Sequence, residues 1–393
     1  RQGAQERRQR HTEQNIVRSM IPVGLGLDLN VRVELKGDVQ MAAFRGDVIG
    51  PDGCSRGILL EATGHVRVEQ DHFEASVRPE VRLAVGRQRP RGVQAHDEAL
   101  PIAAWGKRDT LDLLRRGSLR EAGEQALSSS TTIRPLTEVR LRAPIPDPPT
   151  VRDFMTFEQH VEGVAKLAGP DQTIPPQWYE APAFYFTNPY AILGPADDVP
   201  IAPGSRMFDL ELEVAAVIGR TGRDVHPDDA DAYIAGYTIL IDWSARDLQF
   251  TEMQVRLGPT KGKDTATTLG PVLVTPDELL PWRTDTGYDL AMTARINDEQ
   301  IGADRWSSMA FSFADMIAYA SRGTEVRPGD VLGSGTCGGG CLAELWGRHG
   351  LDAHPPLQPG DLVTVTIEQL GTLTVRITEG VDPVPIPSAR RGG

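Results

Sequence analysis

The chain has 393 residues, 40% of them hydrophobic and 24% charged, the balance of a soluble globular protein with a substantial core. Its formal charge of −13 argues against nucleic acid as the natural partner, because phosphate binding needs concentrated Lys and Arg. No apolar run reaches the roughly 20 residues of a membrane span, so no membrane partner is expected.

Residues 1–19 are polar and rich in Gln and Arg, a composition expected to be disordered. Short alternating stretches follow, Val31–Leu35 and Val66–Glu69, which read as strands. The first hundred residues are near charge balance, so almost all the negative charge lies downstream, which marks a boundary. The chain does not begin with Met, and residues 1–95 are expected to be an unassigned extension, disordered or translated from an upstream start. Met20–Val31 is too short for a span, holds Asp28 and has no cleavage site after it; the expected compartment is the cytoplasm. The three cysteines, Cys54, Cys337 and Cys341, make no disulfide framework and fit a reducing environment. Cys337 and Cys341 flank three glycines without a nearby His, and read as unpaired thiols rather than half a zinc site.

Residues 96–145 read as a partial amino-terminal subdomain and linker, with helices over Asp109–Leu114 and Ser118–Ala126 and a Pro-rich exit at 143–149. The main domain is expected over 146–380 and a flexible tail over 381–393. Within it, helices are expected at Asp228–Ala235, Ser244–Val255 and Ser312–Ser321, the last with Ser312 and Asp315 as a capping pair. Pro-Gly-Asp turns at 328–330 and 359–361 launch strands Val331–Gly333 and Leu362–Ile367, and a hairpin returns over Thr372–Ile377. Strands dominate, so the fold class is α+β with a large mixed sheet.

One strand carries the chemistry. In Phe208–Val214, Asp209, Glu211 and Glu213 project to one face and Phe208, Leu210, Leu212 and Val214 to the other. Carboxylates this close stay ionised only if protons or a cation compensate them. An all-carboxylate set suits Mg2+, Mn2+ or Ca2+ rather than zinc; a solvated strand edge is the plainer alternative. Asp242, in the Ile241–Asp247 segment, lies just before a predicted helix, where a capping role is also open.

Four motifs occur in order: Asp153-Phe154 opening a segment that ends in His160, the alternating acids at 209–213 with Asp242 after them, Gly262-Lys263 in a Gly-flanked loop, and the Gly-rich stretch 333–345. Together they resemble the fumarylacetoacetate hydrolase family of metal-dependent enzymes, from about residue 140 to about residue 377. The resemblance implies a β-sandwich roll assembled as a homodimer. It implies Asp153, Glu211, Glu213 and Asp242 as ligands of Mg2+ (or Mn2+ or Ca2+), with Asp209 supporting them from behind. It implies His160 as catalytic base with Glu344 as its partner acid; another branch carries that acid three residues after the His, where this chain has Gly163. Lys263, Arg246 and Gln249 would stabilise an oxyanion, while Lys261 reads as solvated and His226 as an ordinary surface residue. Thr336 would contact a substrate carboxylate. Met155, Met253 and Gly169 stand where the name-giving hydrolase has two tyrosines and an arginine, and Asn188 replaces a lysine frequent in bacterial relatives.

The expectation is a metal-dependent hydrolase of a carbon–carbon bond in a β-diketo acid or acylpyruvate-like compound, with a small dicarbonyl or 2-oxo acid as its partner. A second reading keeps the site and makes it an isomerase, hydratase or decarboxylase of a 2-oxo acid from aromatic breakdown. A third is a non-catalytic metal-binding homologue. A serine hydrolase is disfavoured: Ser321 in Tyr319–Gly323 lacks the first glycine of G-x-S-x-G, and the match at Gly53–Gly57 falls outside the region that carries the resemblance. A zinc deaminase is disfavoured because no P-C-x-x-C occurs.

Overall fold

A computed structural model describes residues 109–129 and 139–390, together with the backbone of short strands at 48–49, 55–63, 80–86, 99–101 and 133–135. The expectations for residues 1–19, Val31–Leu35 and Val66–Glu69 lie outside the described residues. The chain divides into two compact units, one made of 1–81, 86–107 and 120–140, the other of 82–85, 108–119 and 141–393. In the first, Val48–Ile49 pairs antiparallel with Ser55–Thr63, and Ala99–Pro101 with Ile133–Pro135.

Helix α1 of the second unit, Thr110–Arg115, starts where expected because the Asp109 side chain accepts from the Asp112 amide. Strand β1, Val151–Phe154, leads into helix α2, Glu158–Ala165. Strands β2 (Phe184–Thr187), β3 (Phe208–Asp209), β4 (Leu212–Ile218), β5 (Ile234–Asp242) and β6 (Ser244–Ala245) follow, then helix α3, Arg246–Met253, and strand β7, Thr267–Val274. Strands β8 (Ala291–Ile296) and β9 (Glu299–Arg305), helix α4 (Phe313–Ser321), strand β10 (Val331–Gly333), helix α5 (Leu342–His349) and strands β11 (Leu362–Ile367) and β12 (Gly371–Thr378) complete it.

The main sheet contains the run β7-β5-β4-β10-β1-β2, whose pairs are antiparallel except β10 with β1. β7 also pairs parallel with Ile192–Leu193 and with Ala84–Val85, so the sheet is mixed. A second sheet orders β12-β11-β8-β9, with the short strand Val199–Pro200 paired parallel on the outer side of β12. The two differ in burial for a reason visible in their sequences. β8, β11 and β12 alternate buried and more exposed positions, as a half-covered sheet requires, whereas every residue of β4 is buried. Leu212, Val214, Ala216 and Ile218 of β4 join the larger core. Ala215 and Val217 pack on the other face with Val151, Leu240, Leu269, Val331 and Leu114 of α1.

Three elements differ from expectation. The stretch 208–214 is two strands, because β3 leaves the main sheet to pair with β6 while Glu211 bridges the break, its carbonyl accepting from the Asp242 amide. The expected helix at Asp228–Ala235 is a 3-10 turn over Pro227–Tyr233, and Ile234 and Ala235 already belong to strand β5. The helix expected from Ser244 starts at Arg246 for the same reason, two residues being taken by pairing with Phe208–Asp209. By contrast the Ser312–Asp315 capping box forms in full. No helix among the described residues is long and apolar enough to cross a membrane.

Candidate metal centre and its histidine

Strand periodicity places the acids. Asp153 shares a face with Val151, Glu213 with Ala215 and Val217, and Asp242 with Leu240, so three carboxylates occupy the ends of an otherwise apolar sheet face. Glu211 joins them from the break before β4. Ligand oxygens of all four lie within 4.8 Å of one another, and all four residues are buried. Burial pushes Asp153 up, burial and the neighbouring carboxylates push Glu213 well up, and Asp242 is raised to about 8 by burial despite the opposing pull of Lys263. Burial also works against Glu211, but Arg246 and Lys263 hold it below the usual carboxylate range.

The cations are arranged to fit. Lys263 Nζ contacts Asp242 Oδ2 at 2.7 Å and also Glu211 Oε2. Burial disfavours its charge, but those carboxylates keep it protonated well above neutral pH. Arg246 Nη2 reaches Glu211 Oε1 at 2.6 Å and Asp209 Oδ2 at 2.7 Å, and its Nη1 donates to Gln249 Oε1 at 3.1 Å. Asp209 stands behind the cluster as expected, also accepting from the Leu342 and Ala343 amides at the start of α5. Asp242 is no helix cap: α3 begins at Arg246 with Ala245 before it, and the carboxylate points into the cluster.

The residues fit a divalent ion. Asp153 Oδ1, Glu213 Oε1 and Asp242 Oδ1 are buried and meet no hydrogen-bond donor, which is costly for carboxylate oxygens unless a cation takes them. Opposite them β10 presents Gly333, where a Cβ would stand 2.7 Å from Glu213 Oε2 and 2.9 Å from Asp153 Oδ1. A hard ion with oxygen ligands needs that room.

His160 is on α2 and Glu344 on α5, 184 residues apart, and Nδ1 lies 2.9 Å from Glu344 Oε1 with both side chains buried. The other carboxylate oxygen accepts from the Gly339 amide at 2.9 Å and faces Arg348 Nη1 at 3.1 Å. With Nδ1 turned to the acid, Nε2 is left for chemistry. The alternative position for the acid is crowded. A Cβ on Gly163 would meet Glu344 Cγ at 3.0 Å and Arg348 Nη2 at 3.0 Å, so an acid side chain there would press on the one already in place.

Of the other expected residues, Thr336 is buried in the loop after β10, whereas Met155 and Met253 are 38% and 49% exposed. Asn188 uses its amide on the backbone, accepting from Tyr190 N and donating to the Asp264 carbonyl, while Thr187 donates to the Lys263 carbonyl at 2.6 Å. These two residues hold the lysine loop against the end of β2. Gly169 lies at the end of a 3-10 turn after α2. Lys261 is exposed and pairs with Asp264, and His226 is exposed and accepts from the Asp228 amide. Sequence reasoning missed Tyr185. Its hydroxyl is 2.6 Å from both Asp153 Oδ2 and Asp242 Oδ2, because β2 pairs Tyr185 directly with Asp153. Alternation in Phe184–Thr187 puts Tyr185 and Thr187 on one face, but only the pairing register says which face.

The sequence profile described as fumarylacetoacetate (FAA) hydrolase C-terminal matches residues 150–378, and the chain belongs to that family. A mitochondrial oxaloacetate tautomerase of Rattus norvegicus is 30% identical over 286 residues, 72% of this chain and 81% of that protein. The oxaloacetate tautomerase YisK of Bacillus subtilis is 32% identical over 246 residues, 62% of this chain and 74% of its own. Among solved structures, maleylpyruvate hydrolase from Sphingobium sp. SYK-6, in complex with manganese(II) and pyruvate, has a TM-score of 0.55 and 25% identity, covering 76% of this chain and 97% of that one. The fold is thus that of a family of enzymes that includes tautomerases, isomerases and hydrolases.

Proposed function

We propose that this protein is a divalent-metal-dependent enzyme that interconverts the keto and enol forms of a small 2-oxo dicarboxylic acid of the oxaloacetate class. The observation that carries this is the buried His160–Glu344 pair beside the four-carboxylate cluster. The chemistry supplied there, when Asp153, Glu211, Glu213 and Asp242 hold Mg2+ or Mn2+, is Lewis-acid polarisation of the 2-oxo carboxylate. Glu344 fixes the tautomer in which Nδ1 carries the proton, so Nε2 of His160 takes the enol proton and returns it to the adjacent carbon. Lys263 keeps its own proton at neutral pH and cannot serve as base; its ammonium offsets the negative charge that develops on the enolate oxygen. Arg246, tied to Asp209 and Glu211, fixes the Glu211 carboxylate, and Gln249 braces Arg246. The oxaloacetate tautomerases among the relatives support the choice of substrate class. We propose Mn2+ or Mg2+ as the ion, supported by the all-oxygen donor set and by the manganese in the Sphingobium enzyme. A homodimer is proposed with it, supported by large exposed apolar side chains such as Phe186, Tyr190 and Leu257.

Carbon–carbon bond hydrolysis is the second reading, favoured by one feature, the carboxylate that orients His160 as a base able to activate water. Mn2+-loaded protein incubated with enol-oxaloacetate and with acylpyruvates separates the two. Faster loss of enol absorbance with unchanged mass supports the tautomerase. Cleavage of an acylpyruvate into two acids, with no effect on the enol, overturns it in favour of the hydrolase.

A further inference from the structure

Cys341 immediately precedes α5 and takes no part in the chemistry proposed above. Its Sγ lies 3.8 Å from His160 Nδ1 and 3.8 Å from Glu344 Oε1, while those two atoms are 2.9 Å apart. All three residues are buried, and one donor atom from each lies within 4.8 Å of the others. Imidazole, thiolate and carboxylate are the donors zinc accepts, at about 2.0–2.3 Å, and a tetrahedral ion with such bonds sets its ligand atoms roughly 3.3–3.6 Å apart. The three separations differ from those values by no more than about half an ångström. Glu344 Oε2 is committed to the Gly339 amide and Arg348, which leaves Oε1 for an ion. The donor set is softer than the all-carboxylate cluster nearby, so the two sites select different metals.

We propose a second, inhibitory zinc site formed by His160 Nδ1, Cys341 Sγ and Glu344 Oε1. Coordination releases one proton, that of the thiol, which burial and the acids around it otherwise hold in place. The imidazole keeps its proton but moves it from Nδ1 to Nε2. The nitrogen needed as base is then protonated and the acid that oriented it is on the metal. Zinc therefore stops the enzyme by fixing the wrong tautomer, without displacing the activating ion. This consequence rests on the proposed role of His160; the site itself does not.

The test uses full-length, Mn2+-loaded protein. Turnover is followed at buffered free zinc concentrations. Separately, Co2+ is titrated in and the near-ultraviolet thiolate-to-cobalt band recorded, a readout that needs no turnover. Zinc inhibition should persist in a large excess of Mn2+, and Cys341→Ser should need at least about tenfold more zinc for the same inhibition, as losing a supporting group already costs that much at metal sites. The cobalt band should vanish in Cys341→Ser and survive in a Cys54→Ser, Cys337→Ser double variant. If Cys341→Ser fails to fold, judged by its melting, Cys341→Ala replaces it, and the band in the double variant still identifies the thiol. No band in the unsubstituted protein overturns the site, as does inhibition that Mn2+ relieves and Cys341→Ser leaves unchanged. Protein that turns over no 2-oxo acid yet gives the Cys341-dependent band refutes the proposed function and leaves the zinc site standing.

Discussion

Replacing Glu344 by Gln tests the histidine with the smallest change in shape. The native carboxylate serves two sides at once: Oε1 faces His160 Nδ1 at 2.9 Å, and Oε2 accepts from Gly339 N at 2.9 Å beside Arg348 Nη1 at 3.1 Å. A glutamine has one acceptor for these donors. Its oxygen is best placed toward Gly339 and Arg348, where two donors wait, which turns its NH2 toward His160. The ring must then present Nδ1 as acceptor and carry its proton on Nε2, the wrong form for a base. The expected loss in kcat is about 10² to 10⁴-fold, the usual worth of a positioned general base. The four-carboxylate cluster is untouched, so Mn2+ affinity measured by calorimetry should stay within about twofold, well inside the 10–100-fold effects seen when supporting groups of a metal site are lost. The assay is the decay of enol absorbance in stopped flow at saturating Mn2+. A kcat within a factor of a few of the parent would refute the reasoning, because the tautomer argument permits no such survival.

Gly163 lies where a carboxylate three residues after His160 would compete with Glu344, so Glu344→Ala combined with Gly163→Glu should recover at least about tenfold of the kcat lost in Glu344→Ala alone; no recovery would mean that α2 cannot aim that acid at the ring. Ala at Gly333 would drive a methyl against Glu213 Oε2 and Asp153 Oδ1, and Mn2+ affinity is expected to fall at least about tenfold, with calorimetry as the check and unchanged binding as the contrary result. Without metal, Asp153, Glu213 and Asp242 have folded-state pKa values above their ordinary ones, so the folded chain holds protons that the unfolded chain releases. Stability of the metal-free protein should therefore be greatest below about pH 4 as far as these groups contribute, and fall as pH rises through about 8, by up to about 1.4 kcal/mol per pH unit per proton. Metal displaces the protons, so the rise in Tm on adding Mn2+ should grow from pH 5 to 8.5, and a pH-independent rise would contradict the assignment of these acids as its ligands.

The sequence alone determined the ingredients that depend on local periodicity and local chemistry. Alternation placed Asp209, Glu211 and Glu213 opposite Phe208, Leu210, Leu212 and Val214, and the capping pair at Ser312 and the Pro-Gly-Asp turns located elements because those signals act within a few residues. The family's motifs named His160 and Glu344 as partners, but no local rule could have paired residues 184 positions apart, and α2 and α5 bring them together only in the folded chain. Tyr185 went unseen because its role depends on the β1–β2 register that sets it opposite Asp153. The break at Leu210–Glu211 was invisible because pairing of β3 with β6 competes with the main sheet for the same backbone groups. Cys341 likewise read as a plain thiol with no histidine near it in sequence, and chain folding set His160 Nδ1 3.8 Å from its sulfur. Local preferences decide which side chains a strand or helix presents; which of them meet is settled by long-range packing, where the free energy of the buried core overrides any single residue's preference.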